Sequence, residues 1–532
     1  MSTHSEQYHR TLAELARRRA TDAPTHGGRV LSYVYDSGLA ELDDLAGAAA
    51  KLVQPVNGLD PTVFGSVATM ERDLIAFART AFHGPGAVGS VTSGGTESCV
   101  LAVKAARDHA GPTPGTGSIV LPATAHAAFD KAARLLGVRA VRVPVDPTTT
   151  RVRPADLAAA IDDDTFLLIA SAPNYPTGAL DPIAEIADLA RARDLPLHVD
   201  ACLGGFALAW WPEPLPAWDF RVPGVTSISA DFHKYGYAPK GASVILHTDR
   251  DRHRAGFFAT TEWPGYPIVN PTLLGSRSAA GLASAWAITD YLGPDGFAAL
   301  VAPIARATAS LRAAVDAIDG LAVVGAPDGP VFAVVADPTS AAPIDPHRWS
   351  AAVADHGFTL QEQPSYTQND GTVLPASTHL TVTPVTAAVL DDLIAALTDG
   401  AAQARGQDRA AAPEALAGLA QAFDAGALTV DDALALDSAS TEAALVAAGI
   451  DPHTDPAVAG DALDLPAIIA AIELLPRPVT AKMLTEFLAS YANPSSRVVV
   501  PARTSGLSRT ASSAAAARRP DHPGRRPGRS PR

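Results

Sequence analysis

The amino-acid sequence predicts an α/β protein whose central sheet is mostly parallel and covered by helices on both faces. Between residues 86 and 290, short apolar runs alternate with amphipathic stretches that have helical periodicity. The runs are apolar throughout rather than alternating, which is typical of strands buried on both faces. The candidate strands are "GSIVLP", "RAVRVPV", "TFLLIASA", "LPLHVDA", "GVTSISA" and "GASVILH". Functional residues in such sheets collect at the carboxyl ends of the strands.

Composition divides the chain into five segments. Residues 1–85 form a helical N-terminal segment, and 86–290 form the large domain with the predicted sheet. Residues 291–400 begin with a long helix and continue as a smaller α+β domain, and 401–492 form a helical extension. The tail, 493–532, is rich in Ser, Ala, Pro and Arg, has nine arginines and no lysine, and is predicted to be disordered and solvated.

Charge and composition narrow the class of protein. The 532-residue chain has a formal net charge of −15, which argues against nucleic acid or an anionic membrane as its main partner. We find no unbroken stretch of about 18 strongly apolar residues and no apolar centre of a secretory signal near the N-terminus. Two cysteines exclude a disulfide framework or a cysteine-rich zinc site. We therefore expect a cytoplasmic protein that acts on a small molecule, with no metal and no integral membrane segment.

The stretch "SADFHKYGYAPKG" places Lys234 and Lys240, two of only six lysines, within seven positions. Lysine can lose its proton near physiological pH, whereas arginine cannot. Lys234 follows the strand candidate "GVTSISA". If it is partly desolvated there, we expect a lowered pKa and an amine able to form a Schiff base with an aldehyde. On its own, a lysine at a strand end is more often a surface residue.

Two upstream motifs strengthen the chemical interpretation. In "HVDACLGGF", Asp200 ends an apolar strand and could pair with a protonated pyridine nitrogen, although it could equally cap the following segment. In "VTSGGTESCVLAVKAAR", two glycines precede a helix that opens near Thr96, which suits a phosphate group. This is not a Walker loop, because "GxxxxGK[ST]" is absent. A phosphate cradle, a strand-end acid and a strand-end lysine together describe a pyridoxal phosphate site.

The motifs "SGGTES", "HAAFDKAA", "SAPNYPTG", "HVDACLGGF", "SADFHKYGYAPKGASVIL" and "PTLLGSRSAAGLASAWA" resemble, in order and spacing, those of the sphingosine-1-phosphate lyases. These belong to the pyridoxal-dependent decarboxylase group of the aminotransferase-like superfamily. The resemblance covers residues 30–310 well and 310–400 loosely. It implies pyridoxal 5'-phosphate as cofactor, a fold type I large domain with a mostly parallel seven-stranded sheet, a small α+β C-terminal domain, and a homodimer with sites at the subunit interface.

The resemblance also implies residue roles. Lys234 would carry the cofactor covalently and shuttle protons, and Asp200 would pair with the pyridine nitrogen. His126 would stack on the ring, although a lone histidine after a strand is more often a surface residue. Asn174 would contact the ring hydroxyl, or simply begin the turn spelled "NYPTG". The residues implied for the cofactor phosphate are Gly95, Thr96 and His233, with Gly275 and Ser276 reaching across from the other subunit.

The substrate contacts are where the sequence departs from the family. Tyr35 in "GRVLSYVYDSG" and Lys240 match family residues, and Lys240 would help to bind a substrate phosphate. At the position of a family histidine near that phosphate, "NGLDPTVFGS" has Asp60, whose carboxylate would repel a dianion by about 1 kcal/mol or more. The match favours a carbon–carbon lyase acting on a phosphorylated 2-amino-3-hydroxy compound. Asp60 favours the alternative, an amino-acid decarboxylase. A third hypothesis, a non-catalytic interaction protein, fits the retained motifs poorly.

Overall fold

A computed structural model describes residues 2–111, 116–450 and 465–491. The predicted disorder of 493–532 lies outside the described residues. The helices are α1 (Ser2–Arg19), α2 (Ala40–Leu52), α3 (Gly65–Ala81), α4 (Gly95–Ala110), α5 (Ala128–Leu136), α6 (Pro154–Ala160), α7 (Ile183–Ala192), α8 (Gly205–Leu208), α9 (Arg250–Ala255), α10 (Ala280–Asp316), α11 (Pro346–Ala354), α12 (Leu390–Ala404), α13 (Glu414–Asp424), α14 (Val430–Ala435), α15 (Ser438–Ala447), α16 (Leu465–Leu474) and α17 (Arg477–Tyr491), with a 3-10 helix at Pro384–Val389.

The strands that the structure describes are β1 (Val88–Thr92), β2 (Ser118–Pro122), β3 (Arg139–Val143), β4 (Thr165–Ser171), β5 (Leu197–Asp200), β6 (Val225–Ala230), β7 (Ser243–His247), β8 (Phe258–Thr260), β9 (Ile268–Asn270), β10 (Leu321–Val323), β11 (Val331–Ala336), β12 (Gln361–Gln363), β13 (Tyr366–Thr367), β14 (Val373–Leu374) and β15 (Ser377–Thr381).

The central sheet of the described chain has seven strands in the order β1-β7-β6-β5-β4-β2-β3. Strands β2 to β6 are parallel, and β7 runs antiparallel to both of its neighbours. The connection from β6 to β7 contains no helix, so it cannot make the crossover that a parallel partner requires. The predicted fold class, a mostly parallel seven-stranded α/β sheet, is confirmed, and the reversed β7 is an addition to it.

Both faces of this sheet are buried, as the unbroken apolar strands predict. In β2, Ile119 and Leu121 point into a cluster with Phe129 of α5, whereas Val120 belongs to the main core on the opposite face. Successive strand residues point to opposite faces, so a strand packed on both sides is apolar at every position. The site residues therefore have to be sought at the strand ends.

Helix α10 connects the two domains and contains a break at Gly293, where φ is +55°. One helix of the described residues, α10 itself, passes a length and composition test for crossing a membrane, with a mean hydropathy of 1.3 over an 18-residue window. Its residues Phe297, Val301 and Leu311 are buried in the main core, and it packs against α2 and α3. We interpret α10 as a core helix, and the absence of an integral membrane segment stays a prediction.

The remaining chain forms an antiparallel sheet, β10-β11-β15-β12, that packs against α11. Helix α12 packs against α11 and α10, and the helices α13 to α17 follow. The last helices have a hydrophobic cluster of their own and dock on the small sheet through polar contacts. Glu473 pairs with Arg409 and accepts a hydrogen bond from the Ser365 N–H at 2.5 Å, and the Arg477 guanidinium lies 4.1 Å from the Tyr366 ring.

Candidate active site

The carboxyl ends of the parallel strands open into one cavity of about 430 Å³. Strand β4 ends at Ser171, β5 ends at Asp200, and the chain after β6 carries Asp231 and Lys234. The cavity brings together most of the predicted cofactor contacts with several further residues. Its lining comprises Ser93, Gly94, Gly95, Thr96, Glu97, Cys99, His126, Ser171, Pro173, Tyr175, Asp200, Cys202, Leu203, Asp231, His233 and Lys234.

The Lys234 amine is paired with a buried carboxylate. Its Nζ lies 2.8 Å from Asp231 Oδ2, and the Asp231 side chain is only 1% exposed. Burial disfavours the ammonium, but the charge and hydrogen bond of Asp231, together with Tyr35 and Cys202, outweigh burial and raise the pKa of Lys234. The expectation of a lowered pKa at Lys234 is therefore wrong for this arrangement. The sequence argument considered desolvation and did not include a counter-ion three residues upstream.

Asp231 is itself held by its neighbours. The Ser243 hydroxyl donates to Asp231 Oδ1 at 2.6 Å, and His233 Nε2 lies 3.4 Å from Oδ2. Burial acts to raise the pKa of Asp231, but the charges of Lys234 and His233 lower it overall, so the carboxylate is ionised. Sequence reasoning missed Asp231. The signal was present in "SADFHK", where an acid directly follows an apolar strand.

Asp200 lies beside Lys234 in the same cavity because β5 and β6 are paired in parallel. Asp200 is opposite Ser229, whose hydroxyl donates to Asp200 Oδ1 at 3.3 Å, and the Cys202 N–H donates to the same oxygen at 3.0 Å. The carboxylate thus accepts a local N–H, as a cap would, and it also lines the cavity.

Cys99 and Cys202 flank Asp200, with the two sulfurs and a carboxylate oxygen all within 4.8 Å of one another. Both thiols are free. Contact with Cys99, together with burial, raises the pKa of Cys202. This disfavours the thiolate that a metal ion binds.

The first turn of α4 forms another wall of the cavity, where Gly95 and Thr96 were predicted to bind phosphate. Glu97 shapes the approach to this turn, since its carboxylate accepts hydrogen bonds from the Ser93 N–H at 2.6 Å and the Leu273 N–H at 2.7 Å. A Cβ built on Gly95 would lie 2.8 Å from both carboxylate oxygens of Asp231. Glycine is thus needed here by the close approach of a charged side chain.

His126 reaches the cavity and Asn174 does not line it. The His126 ring is 6.4 Å from that of Tyr175, and its Nδ1 accepts a hydrogen bond from the Ala128 N–H at 3.1 Å. The side-chain oxygen Oδ1 of Asn174 accepts hydrogen bonds from the N–H and the hydroxyl of Thr177, as the turn interpretation of "NYPTG" expects. The side-chain nitrogen Nδ2 of Asn174 is buried without a hydrogen-bond partner.

Two further cavities contain several of the other predicted contacts. The first, of about 440 Å³, shares Ser93 and Glu97 with the Lys234 cavity and is lined by Lys240 and Ser276. The second, of about 580 Å³, is lined by Asp60 and Gly275. The predicted contacts Gly275 and Ser276 therefore do not reach the Lys234 cavity of their own chain.

Asp60 also lies outside the Lys234 cavity, and its carboxylate is engaged locally. It accepts hydrogen bonds from the N–H of Thr62 at 2.8 Å and from its hydroxyl at 2.6 Å. These hydrogen bonds lower the pKa of Asp60. Its cavity contains Gly275 but neither Lys234 nor Lys240, so Asp60 does not face a phosphate held by Lys240 of its own chain.

Lys240 and Tyr35 are in direct contact beside the site. The Lys240 ammonium donates to the His233 carbonyl at 3.0 Å and lies 4.7 Å from the centre of the Tyr35 ring. Burial and the like charge of Lys234 lower the pKa of Lys240 to about 8. Burial raises the pKa of Tyr35, so its hydroxyl stays protonated. Lys240 is thus an available cation at the edge of the cavity.

The donor set of the Lys234 cavity fits a phosphorylated pyridine aldehyde. A lysine amine can bond an aldehyde, a buried carboxylate can hold a ring N–H, and a helix N-terminus can bind phosphate. The Ser171 hydroxyl is buried at this cavity without a hydrogen-bond partner, which leaves a polar group for a ligand to satisfy. Sheet topology and site together define a pyridoxal-phosphate-dependent enzyme of fold type I.

Comparison with known proteins identifies the family. Residues 65–262 match the pyridoxal-dependent decarboxylase conserved domain. The chain is 41% identical over 304 residues to the sphingosine-1-phosphate lyase of Dictyostelium discoideum, covering 56% of this chain and 58% of that one. It is 38% identical over 330 residues to sphingosine-1-phosphate lyase 1 of Rattus norvegicus, covering 61% of this chain and 58% of that one.

Comparison with solved structures points to the same family. The sphingosine-1-phosphate lyase of Burkholderia pseudomallei superposes with a TM-score of 0.69 and 32% identity, covering 80% of this chain and 94% of that one. The glutamate decarboxylase of Lactobacillus brevis, at 20% identity, a TM-score of 0.65 and coverage of 75% and 93%, shares the fold. The chain belongs to the pyridoxal-dependent decarboxylase family, in the branch of the sphingosine-1-phosphate lyases, and its cofactor is pyridoxal 5'-phosphate. Its alignments span less than two thirds of the length of the curated relatives named here.

Proposed function

We propose that this protein is a pyridoxal-phosphate-dependent carbon–carbon lyase. It would cleave a phosphorylated 2-amino-3-hydroxy compound into an aldehyde and a phosphorylated amine. The observation that carries the proposal is one cavity that unites Lys234, Asp200 and His126 with the first turn of α4, and adjoins Lys240. The relatives named sphingosine-1-phosphate lyase support the same reaction class.

The residues of the cavity divide the work between them. When bound, the cofactor supplies a cationic ring that accepts the electron pair of the breaking bond. Lys234 provides the amine that holds the cofactor and can return a proton to the product. Asp200 keeps the proton on the ring nitrogen. His126, whose ring borders the cavity, packs against the cofactor.

The proposal that the substrate carries a phosphate depends on Lys240, the cation beside the cavity. Lys240 is exposed and stands over the Tyr35 ring, and no carboxylate of the described residues forms an ion pair with it. A phosphate group on the substrate would supply the missing anion. Asp60, the residue that favoured an amino-acid decarboxylase, is turned to Thr62 in a different cavity. We therefore favour the lyase reaction.

A homodimer would complete the proposed site. Gly275 and Ser276 lie away from the Lys234 cavity of their own chain, as expected of residues that serve a partner's cofactor. The segment that precedes them presents an exposed apolar surface suited to burial against a second copy. Its large apolar side chains, each at least 44% exposed, are Phe258, Trp263, Tyr266, Val269, Leu273 and Leu274. We also propose a cytoplasmic location, which suits two free cysteines.

The reaction can be tested on the full chain loaded with pyridoxal 5'-phosphate. We would incubate it with a long-chain 2-amino-3-hydroxy phosphate and, separately, with a panel of amino acids. Aldehyde from the first substrate is the expected result, and carbon dioxide from an amino acid without aldehyde would reject the lyase assignment. Lys234→Ala should abolish the visible absorbance of the bound cofactor, whereas Lys131→Ala, an exposed lysine of α5, should retain it.

A further inference from the structure

We propose that Asp231 is the positioning residue for Lys234. It holds the ammonium in the cavity and sets the pH at which the amine becomes free to bond to the cofactor. This rests on the cofactor of the family and not on the lyase reaction. Neither Asp231 nor its pairing with Lys234 was among the residues implied by the sequence motifs.

The geometry of the pair is that of a buried counter-ion. Asp231 Oδ2 is 2.8 Å from the Lys234 amine, and Oδ1 accepts the Ser243 hydroxyl at 2.6 Å. The carboxylate cannot turn away without leaving one of these donors unpaired, because both oxygens are used. The Asp231 side chain is 1% exposed and that of Lys234 is 23% exposed, so water screens the pair only from the lysine side, and the two charges interact more strongly than they would in bulk water.

The first turn of α4 is built around the same carboxylate. Any side chain at Gly95 would collide with Asp231, since a Cβ there would lie 2.8 Å from each of its oxygens. The glycine of "SGGTES" and the acid of "SADFHK", far apart in sequence, therefore accommodate one another. A residue retained only to cap a turn would not require this clearance on a neighbouring helix.

The other charged groups around Lys234 do not replace Asp231. Lys240 and His233 belong to the same loop and are basic, so neither can serve as a counter-ion to the Lys234 ammonium. Asp200 and Cys202 approach from the end of β5, Glu97 from α4, and Tyr35 from the N-terminal segment. Tyr35 and Cys202 also act to raise the pKa of Lys234, each less than the charge of Asp231. The remaining titratable groups that line the cavity are His126, Tyr175 and Cys99. Among the described residues, Lys234 forms its ion pair with Asp231.

The chemical consequence concerns the capture of the cofactor aldehyde. The ammonium must first release one proton to solvent, because only the neutral nitrogen has an electron pair to attack the carbonyl carbon. The nitrogen–carbon bond then forms, and the carbonyl oxygen leaves as water with the two amine hydrogens. Asp231 stabilises the ammonium, so it slows this step at neutral pH while keeping the amine in place.

The test measures cofactor capture by the full chain after removal of its cofactor. The probe is pyridoxal, which lacks phosphate, and the readout is the growth of visible absorbance between about pH 6 and pH 10. In the wild type, Lys234 titrates above this range, so the logarithm of the rate should rise with pH with a slope of about one and no plateau. In Asp231→Asn the curve should reach a plateau inside the range, with capture at least about tenfold faster at pH 7.

Two controls keep the result interpretable. Asp219→Asn removes an equally buried, ion-paired carboxylate outside the Lys234 cavity and should keep the wild-type slope. Asp231→Glu keeps the charge and should also show no plateau. If Asp231→Asn fails to fold, the wild-type profile decides, since a plateau below pH 10 would overturn the proposal. An unbroken slope in a folded Asp231→Asn protein would overturn it too. No capture of either pyridoxal or pyridoxal 5'-phosphate at any pH would instead contradict the cofactor assignment.

Discussion

Lys240 should make the binding of a phosphorylated ligand depend on pH above about 8. Burial and the like charge of Lys234 lower the pKa of Lys240 to about 8, so its positive charge is lost as the pH rises through that value. An alkyl phosphate without an amine is dianionic throughout this range, since its second pKa is about 6. Any loss of affinity above pH 8 then comes from a titrating group of the protein and not from the ligand.

The expected size follows from the titration. If only the charged amine attracts the phosphate, the dissociation constant rises by a factor of 1 + 10^(pH−8), or roughly elevenfold at pH 9. A hydrogen bond to a charged group contributes about 1.5–3 kcal/mol, which limits the total loss to roughly 10- to 150-fold. Below pH 7 Lys240 is fully charged, so its titration should no longer change the dissociation constant.

The assay is isothermal titration calorimetry of butyl phosphate into the cofactor-loaded protein from about pH 7 to pH 10. Lys240→Arg should bind without the break at pH 8, because the guanidinium stays charged. Lys240→Met should bind weakly at every pH, and Lys131→Arg should follow the wild type. A wild-type curve without a break, or a break that persists in Lys240→Arg, would remove Lys240 from the phosphate site.

Three further predictions concern stability. Burial raises the pKa of Asp181 to about 7, so the folded state holds a proton that the unfolded chain releases near pH 4. Stability from this group falls between about pH 4 and 7, and Asp181→Asn should lack about 2 kcal/mol of the decrease from pH 5 to pH 7 in urea unfolding; an equal decrease would refute it. Tyr235→Phe loses a 2.8 Å bond to the Val382 carbonyl and should cost about 1–3 kcal/mol without changing the visible absorbance of the loaded protein. Glu473→Ala loses the bond to Ser365 and should speed amide exchange in α16 but not in the central sheet; unchanged α16 exchange would contradict this docking role.

The fold could be predicted as far as apolar patterning reaches. The six candidate strands correspond to β2 to β7, because strands buried on both faces are apolar without interruption. Strand β1 went unrecognised, since "VGSVT" contains a glycine and two hydroxyl residues that look like loop. The reversed direction of β7 was equally hidden, since apolar periodicity carries no information about strand direction. It follows from the absence of a helix between β6 and β7.

The site residues could be predicted where a sequence motif contains the reactive group itself. They could not be predicted where a contact depends on how the folded chain orients a side chain. Lys234, Asp200 and His126 do line one cavity. The role of Asp60 at the substrate stays a prediction, because a match in sequence position says nothing of which way a loop side chain turns. Its carboxylate accepts hydrogen bonds from Thr62.

The two lysines of "SADFHKYGYAPKG" illustrate the limit most clearly. Both side chains end in a primary amine, and the sequence argument expected Lys234 to be the one with the lowered pKa. The structure reverses this, since Asp231 raises the pKa of Lys234 while burial and Lys234 itself lower that of Lys240. The sign depends on a carboxylate three residues away that reaches Lys234 only because the chain turns after β6. Lys240, six residues after Lys234, is affected more by the repulsion of Lys234 than by the attraction of Asp231. A division of labour follows, in which Lys234 is kept charged until the cofactor arrives and Lys240 is the cation that an incoming phosphate stabilises.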